Sequence, residues 1–166
     1  MNKTIIGGAV LVLFLVGLFW LGGRGQAGSP APAAENQSST VLSANETKYD
    51  FGAISMARGP VSRRFTVKNN SAETVTVESL TTSCMCTNAY FESGSERRGP
   101  FGMIGHGTTV PKLNEIMPPD GTATIEVVFD PAAHGPAGVG QIERQVFLTD
   151  SAGGNLIFDI KAVETA

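Results

Sequence analysis

Charge is scarce in this chain. Of 166 residues only 16% are charged, with 12 Lys and Arg against 15 Asp and Glu, for a net charge of −3. That balance lacks the basic field that draws in nucleic acid, so no nucleic-acid partner is expected. Cysteine is scarcer still: Cys84 and Cys86 are the only two, one residue apart. A bridge between them would close almost no chain and restrict the unfolded state little, which excludes a disulfide framework. Hydrolase and phosphate-loop signatures (G-x-S-x-G, H-E-x-x-H, G-x-x-x-x-G-K) are missing as well, and the chain is not expected to be an enzyme. What is plentiful is apolar and turn-forming residues, 42% hydrophobic with 20 Gly and 9 Pro. Such a composition suits a folded chain rich in turns. Because the first forty or so residues are unlike the rest, there is room for one folded domain.

The N-terminus opens with Lys3 and an uncharged run from Ile5 to Gly23. As a helix that run would span roughly 28 Å, close to the hydrocarbon core of a bilayer at about 30 Å. A signal-peptide apolar region is shorter and ends at a small-residue cleavage site. Here the tidy A-x-A, Ala31-Pro32-Ala33, lies well beyond the run. The reading is a retained signal anchor over residues 1–23, with the cytoplasmic membrane as its partner. Lys3 and the free amino terminus favour the N-terminus inside, so the folded part is exported to the periplasm or cell surface. Residues 24–44 are small, polar and Pro-containing, as in a flexible tether. The domain is expected over residues 45–166.

From Lys48 onward the apolar period is two. Tyr49 and Phe51 alternate with Lys48 and Asp50, Phe65 and Val67 with Arg64, Thr66 and Lys68, and Val75 and Val77 with Thr74 and Thr76. After the Pro119-Asp120-Gly121 turn come Ala123, Ile125, Val127 and Phe129; Val146 and Leu148, then Leu156, Phe158 and Ile160, complete the pattern. About seven short alternating segments separated by turns predict an all-β chain, and a sandwich ahead of a small barrel.

Four phrases in order carry a resemblance: YDFGAI, VSRRFTVKNNSAETVTVESLTTSCMCTNA, IMPPDGTATIEVVFDP and the closing pair of strands. Together they resemble the bacterial family of domains of unknown function 1573, whose members are similar to Hydin-type immunoglobulin-like domains. The most specific piece is Ser83-Cys84-Met85-Cys86-Thr87, an S-C-x-C-T motif. Its middle residue is usually small in the family, and here it is Met85. The stretch ESGSERRGPFGMIGHGT between the motif and the PPDG turn reads as an insertion, with Glu92, Glu96, Arg97 and Arg98 in a solvated loop. The resemblance implies an immunoglobulin-like β-sandwich and export, and carries no activity.

Cys84 and Cys86 are the one constellation with a definite chemistry. On an extended strand they would project from one face with Cα atoms ~6.6 Å apart, near the upper limit for a bridge. Two parallel thiolates can hold a soft ion such as Cu(I). They can equally pack as small hydrophobes. If one strand ran unbroken from Val75, the cysteines would face away from the core, so a bend at Thr81-Thr82-Ser83 would have to reset the parity. His106 and His134, both in glycine-rich loops, and Met103 would complete a metal set; each is also readable as a solvated or gap-filling residue. His106 is preferred as third ligand, since no strand need intervene between it and the cysteines.

Three functions follow from these residues. The first is a non-catalytic binding or scaffold module with an unidentified protein partner. The second is an extracytoplasmic copper-binding protein, and the third a thiol-redox protein. The third is placed last, because the usual C-x-x-C at a helix start is missing.

Overall fold

The computed structural model describes residues 40–105 and 112–166, all within one compact unit, Asn36–Ala166. The expected anchor and His106 lie outside the described residues. Among those residues no helix is long and apolar enough to cross a membrane.

The all-β expectation is met. Among the described residues ten strands follow in chain order: β1 (Leu42–Ala44), β2 (Lys48–Ser55), β3 (Val61–Asn69), β4 (Val75–Thr82), β5 (Thr87–Ser93), β6 (Glu96–Phe101), β7 (Glu115–Met117), β8 (Thr122–Phe129), β9 (Gly140–Asp150) and β10 (Asn155–Thr165). They form two five-stranded sheets, ordered β1-β3-β8-β5-β6 and β2-β10-β9-β4-β7. Every pairing is antiparallel except β2 with β10.

Ten strands replace the expected seven or so because three elements escaped the alternation rule. β1 lies at the end of the stretch read as a tether, where Leu42 alone is buried. β7 is only three residues long. The third, β6, corrects the solvated-loop reading of Glu96, Arg97 and Arg98. It is an edge strand whose charged residues stay largely exposed, so no apolar period marks it. Side chains tie it down instead: Arg97 reaches Glu92 and Glu126, and Arg98 reaches Glu115 and donates to the Leu113 carbonyl.

The core lies between the sheets and is built by parity. Phe65 and Val67 from β3, Ala89 and Phe91 from β5, and Ile125, Val127 and Phe129 from β8 face Val146 and Leu148 from β9 and Phe158 and Ile160 from β10. Phe65 and Phe158 bring their rings together across the sheets, centroids 4.8 Å apart. Burying one such side chain contributes about 2–3 kcal/mol.

Parity also sets the place of the cysteines, by a route the sequence reading missed. Val77 of β4 pairs with Asp150 of β9 while Ser79 pairs with the adjacent Thr149, so β4 carries one extra residue there. This β-bulge swaps the inward positions from Val75 and Val77 to Leu80, Thr82, Cys84 and Cys86. The reset occurs before the Thr81-Thr82-Ser83 bend, not at it.

Candidate functional site

β4 belongs to one sheet and β5 to the other, so residues 83–86 carry the chain across the end of the sandwich. Ser83 holds the near side: its amide donates to the Gln145 carbonyl and its hydroxyl accepts from the Gln145 amide. The Thr87 amide donates to the Cys84 carbonyl, closing the turn, and the buried Thr82 hydroxyl lies 3.0 Å from the carbonyl oxygens of both Cys84 and Thr87. The Asp130 amide donates to the Cys86 carbonyl from the far side.

The cysteines therefore sit on a tight turn rather than on an extended strand, which corrects the expected ~6.6 Å separation. Their Cα atoms are 5.2 Å apart and their sulfurs form a disulfide. A turn shortens the i to i+2 distance into the range a bridge accepts.

The two sulfurs have different surroundings. Cys86 is 1% exposed and Cys84 9%. Nε of Arg144 donates to Cys86 Sγ at 3.3 Å. His134 Nε2 lies 3.3 Å from Cys84 Sγ, and the Cys86 amide donates to that same sulfur at 3.2 Å. Cys84 opens on a cavity of about 540 Å³ lined by Ser83, His134, Glu143, Arg144 and Gln145. His134 itself is exposed, in the loop between β8 and β9.

Behind Arg144 and His134 lies an unsatisfied acid. Glu164 is 2% exposed, and its Oε2 makes no hydrogen bond among the described residues. Burial holds its carboxyl above the ordinary 4.5; the charges of Arg144 and His134 oppose that shift, and Asp130 adds to it. Gly138 makes the close approach feasible, because a Cβ there would stand 2.7 Å from Glu164 Oε2.

Of the five residues expected to bind a metal, the structure brings together Cys84, Cys86 and His134. Their ligand atoms lie within 4.8 Å of one another. Met103 is half-buried, and the preferred His106 falls outside the described residues. Met85, between the cysteines, is 59% exposed and points away from the core. Free-thiol packing is superseded by the disulfide.

Arg144 and Glu164 were not singled out from the sequence, yet a signal existed. Ile142, Val146 and Leu148 mark the inward parity of β9, and Arg144 shares it; Leu156, Phe158, Ile160 and Ala162 mark that of β10, and Glu164 continues it. Two opposite charges on core-facing positions at one end of paired strands are a pointer to a site.

The fold recurs in solved structures. A protein of unknown function from Porphyromonas gingivalis W83 is similar at 15% identity with a TM-score of 0.53, the match covering 81% of this chain and 51% of that one. A family 123 glycoside hydrolase from Clostridium perfringens is similar at 9% identity with a TM-score of 0.53, over 75% of this chain and 27% of that one. This chain thus spans about half the length of the first and about a quarter of the second. Such identities show the fold alone. No curated protein matches the chain. Residues 42–104, from β1 through the Cys84–Cys86 turn to just past β6, match the model of the family described as protein of unknown function (DUF1573), the family that the sequence resembles.

Proposed function

We propose that the chain is a non-enzymatic, immunoglobulin-like binding module displayed outside the cytoplasmic membrane, tethered by the apolar run Ile5–Gly23, and that it meets its protein partner through the Cys84–Cys86 end of the sandwich. One observation carries this reading. A cavity of about 540 Å³ at that end gathers convergent polar groups, His134, Glu143, Arg144 and Gln145, around the Cys84 side of the disulfide. A concave site with a few convergent polar groups is the default candidate for a binding site. A photo-crosslinking residue placed at Gln145 tests it in membranes of the native host. It should give a discrete protein adduct, whereas the same residue at Ala152, in the hairpin at the opposite end, should not. Equal labelling from both positions, or recovery of the protein outside the membrane fraction with a processed N-terminus, contradicts the reading.

A second reading, a copper site, is favoured by the three donor atoms of Cys84, Cys86 and His134 within 4.8 Å of one another. Two thiolates and an imidazole suit Cu(I). Bonded sulfurs offer no thiolate, so the metal would enter the reduced form alone, with His134 rather than His106 as third ligand. Titration of reduced protein with Cu(I) against a competing chelator should show one equivalent retained, lost in Cys86→Ser and weakened in His134→Ala. Equal competition by wild type and the double Cys→Ser variant removes this reading.

A further inference from the structure

A disulfide across two residues has a stability role to fill only if it closes a useful loop. Chain entropy gives such a short closure about 1.5 kcal/mol, against about 4.7 for a hundred-residue loop. The bulge between Val77 and Ser79, the two Ser83–Gln145 hydrogen bonds and the Thr82 hydroxyl already position this turn without it. The groups around the sulfurs are those that thiol–disulfide exchange uses.

We propose that Cys84–Cys86 is a two-electron thiol–disulfide couple that exchanges stoichiometrically with an extracytoplasmic dithiol, with Cys84 as the attacked sulfur and Cys86 as the leaving group stabilised by Arg144. Access assigns the first role. Cys84 faces the cavity beside the exposed His134, whereas Cys86 is sealed at 1% exposure. The guanidinium contact assigns the second. Arg144 Nε stands 3.3 Å from Cys86 Sγ, on an inward-facing strand position where no other acceptor among the described residues draws that N–H away.

A thiolate of the partner dithiol attacks Cys84 Sγ and forms a mixed disulfide. The Cys84–Cys86 bond breaks, and its electron pair leaves on Cys86 Sγ as a thiolate facing the Arg144 cation. The partner's second thiolate then attacks its own sulfur in the mixed disulfide, closing the partner's disulfide and expelling Cys84 as a thiolate. That thiolate receives the Cys86 N–H bond and takes a proton from His134 or water. The domain's disulfide is reduced by two electrons and the partner dithiol is oxidised.

Two arms test this on the full-length protein in detergent. In the first, oxidised protein is mixed with dithiothreitol, quenched by alkylation and read by mass spectrometry. Wild type should convert fully while folded, Arg144→Met should react about tenfold more slowly, and Arg144→Lys should recover most of the rate, since a cation lowers the leaving thiol's basicity. In the second, single-cysteine variants meet glutathione disulfide. Cys86→Ser should carry one glutathione on Cys84, and Cys84→Ser should load at least about tenfold less, because a buried thiol is inaccessible. Arg144→Met reacting at the wild-type rate overturns the role of Arg144. Equal loading of the two single-cysteine variants overturns the assignment of Cys84. Circular dichroism on each variant separates loss of fold from loss of chemistry, and should Arg144→Met not fold, the lysine variant and the glutathione arm decide.

Discussion

The two ends of the sandwich hold their buried carboxyl and amide side chains in different ways. At the end where β3 and β9 finish, Asn69 is fully buried and Asp150 is 1% exposed. Nδ2 of Asn69 is within 3.1 Å of the carbonyls of Glu73, Met117 and Pro118, and its Oδ1 accepts from the amide and hydroxyl of Ser71. Oδ1 of Asp150 accepts from the amides of Ala152 and Gly154, and its Oδ2 from the Thr40 hydroxyl. At the other end Glu164 Oε2 has no partner among the described residues, and Arg144 spends its Nε on a disulfide sulfur. Saturated polar groups fasten turns and fix register. Unsaturated ones cost stability and are retained where they serve chemistry. The contrast separates a structural end from a working end.

The largest effect belongs at the structural end. Asn69→Ala abandons several buried carbonyls at once and should destabilise by about 3 kcal/mol or more, with Asp150→Ala costing about 2. Denaturant midpoints of the variants check this. Values near zero for both would erase the distinction between the ends. An intermediate effect is expected at Gly138→Ala, whose new Cβ would meet Glu164 Oε2 at 2.7 Å and His134 Cβ at 3.4 Å. Overpacking of that kind costs about 1–3 kcal/mol, and at this site it should also displace His134 from Cys84, slowing exchange with dithiothreitol.

A smaller, pH-dependent effect marks Glu164. Its folded carboxyl holds a proton to higher pH than the ordinary 4.5, so between those two values the folded chain binds more protons than the unfolded one. Stability therefore falls as pH rises through that window and levels off above it. Urea titrations across the window should show Glu164→Gln without that slope and more stable than wild type at neutral pH. A variant less stable than wild type at neutral pH would mean that Glu164 is fastened after all.

Much of the architecture was legible because β3, β8, β9 and β10 are half-buried strands in which buried apolar residues recur at every second position over most of their length. The cysteine turn was not. A single extra residue between Val77 and Ser79 inverts every inward position downstream, and no residue in that stretch announces it, neither Gly nor Pro. β6 was hidden for a different reason: an edge strand held by Arg97 and Arg98 ion pairs looks in sequence like a solvated loop. The choice of His106 over His134 followed closeness along the chain, whereas the β8–β9 loop returns His134 to Cys84 across fifty residues. Arg144 could have been found by reading the β9 parity between Ile142 and Val146, and Glu164 by carrying the β10 parity one step past Ala162.

The measurement that bears most directly on the contrast is the unfolding free energy of one sample with Cys84–Cys86 bonded and then reduced. If the disulfide belongs to the working end, the two values differ by no more than about 1.5 kcal/mol, and the reduced chain keeps its β-sheet circular dichroism and a cooperative transition. A loss of several kcal/mol, or unfolding as soon as the bond is cut, would make the disulfide a structural fastening and contradict the account.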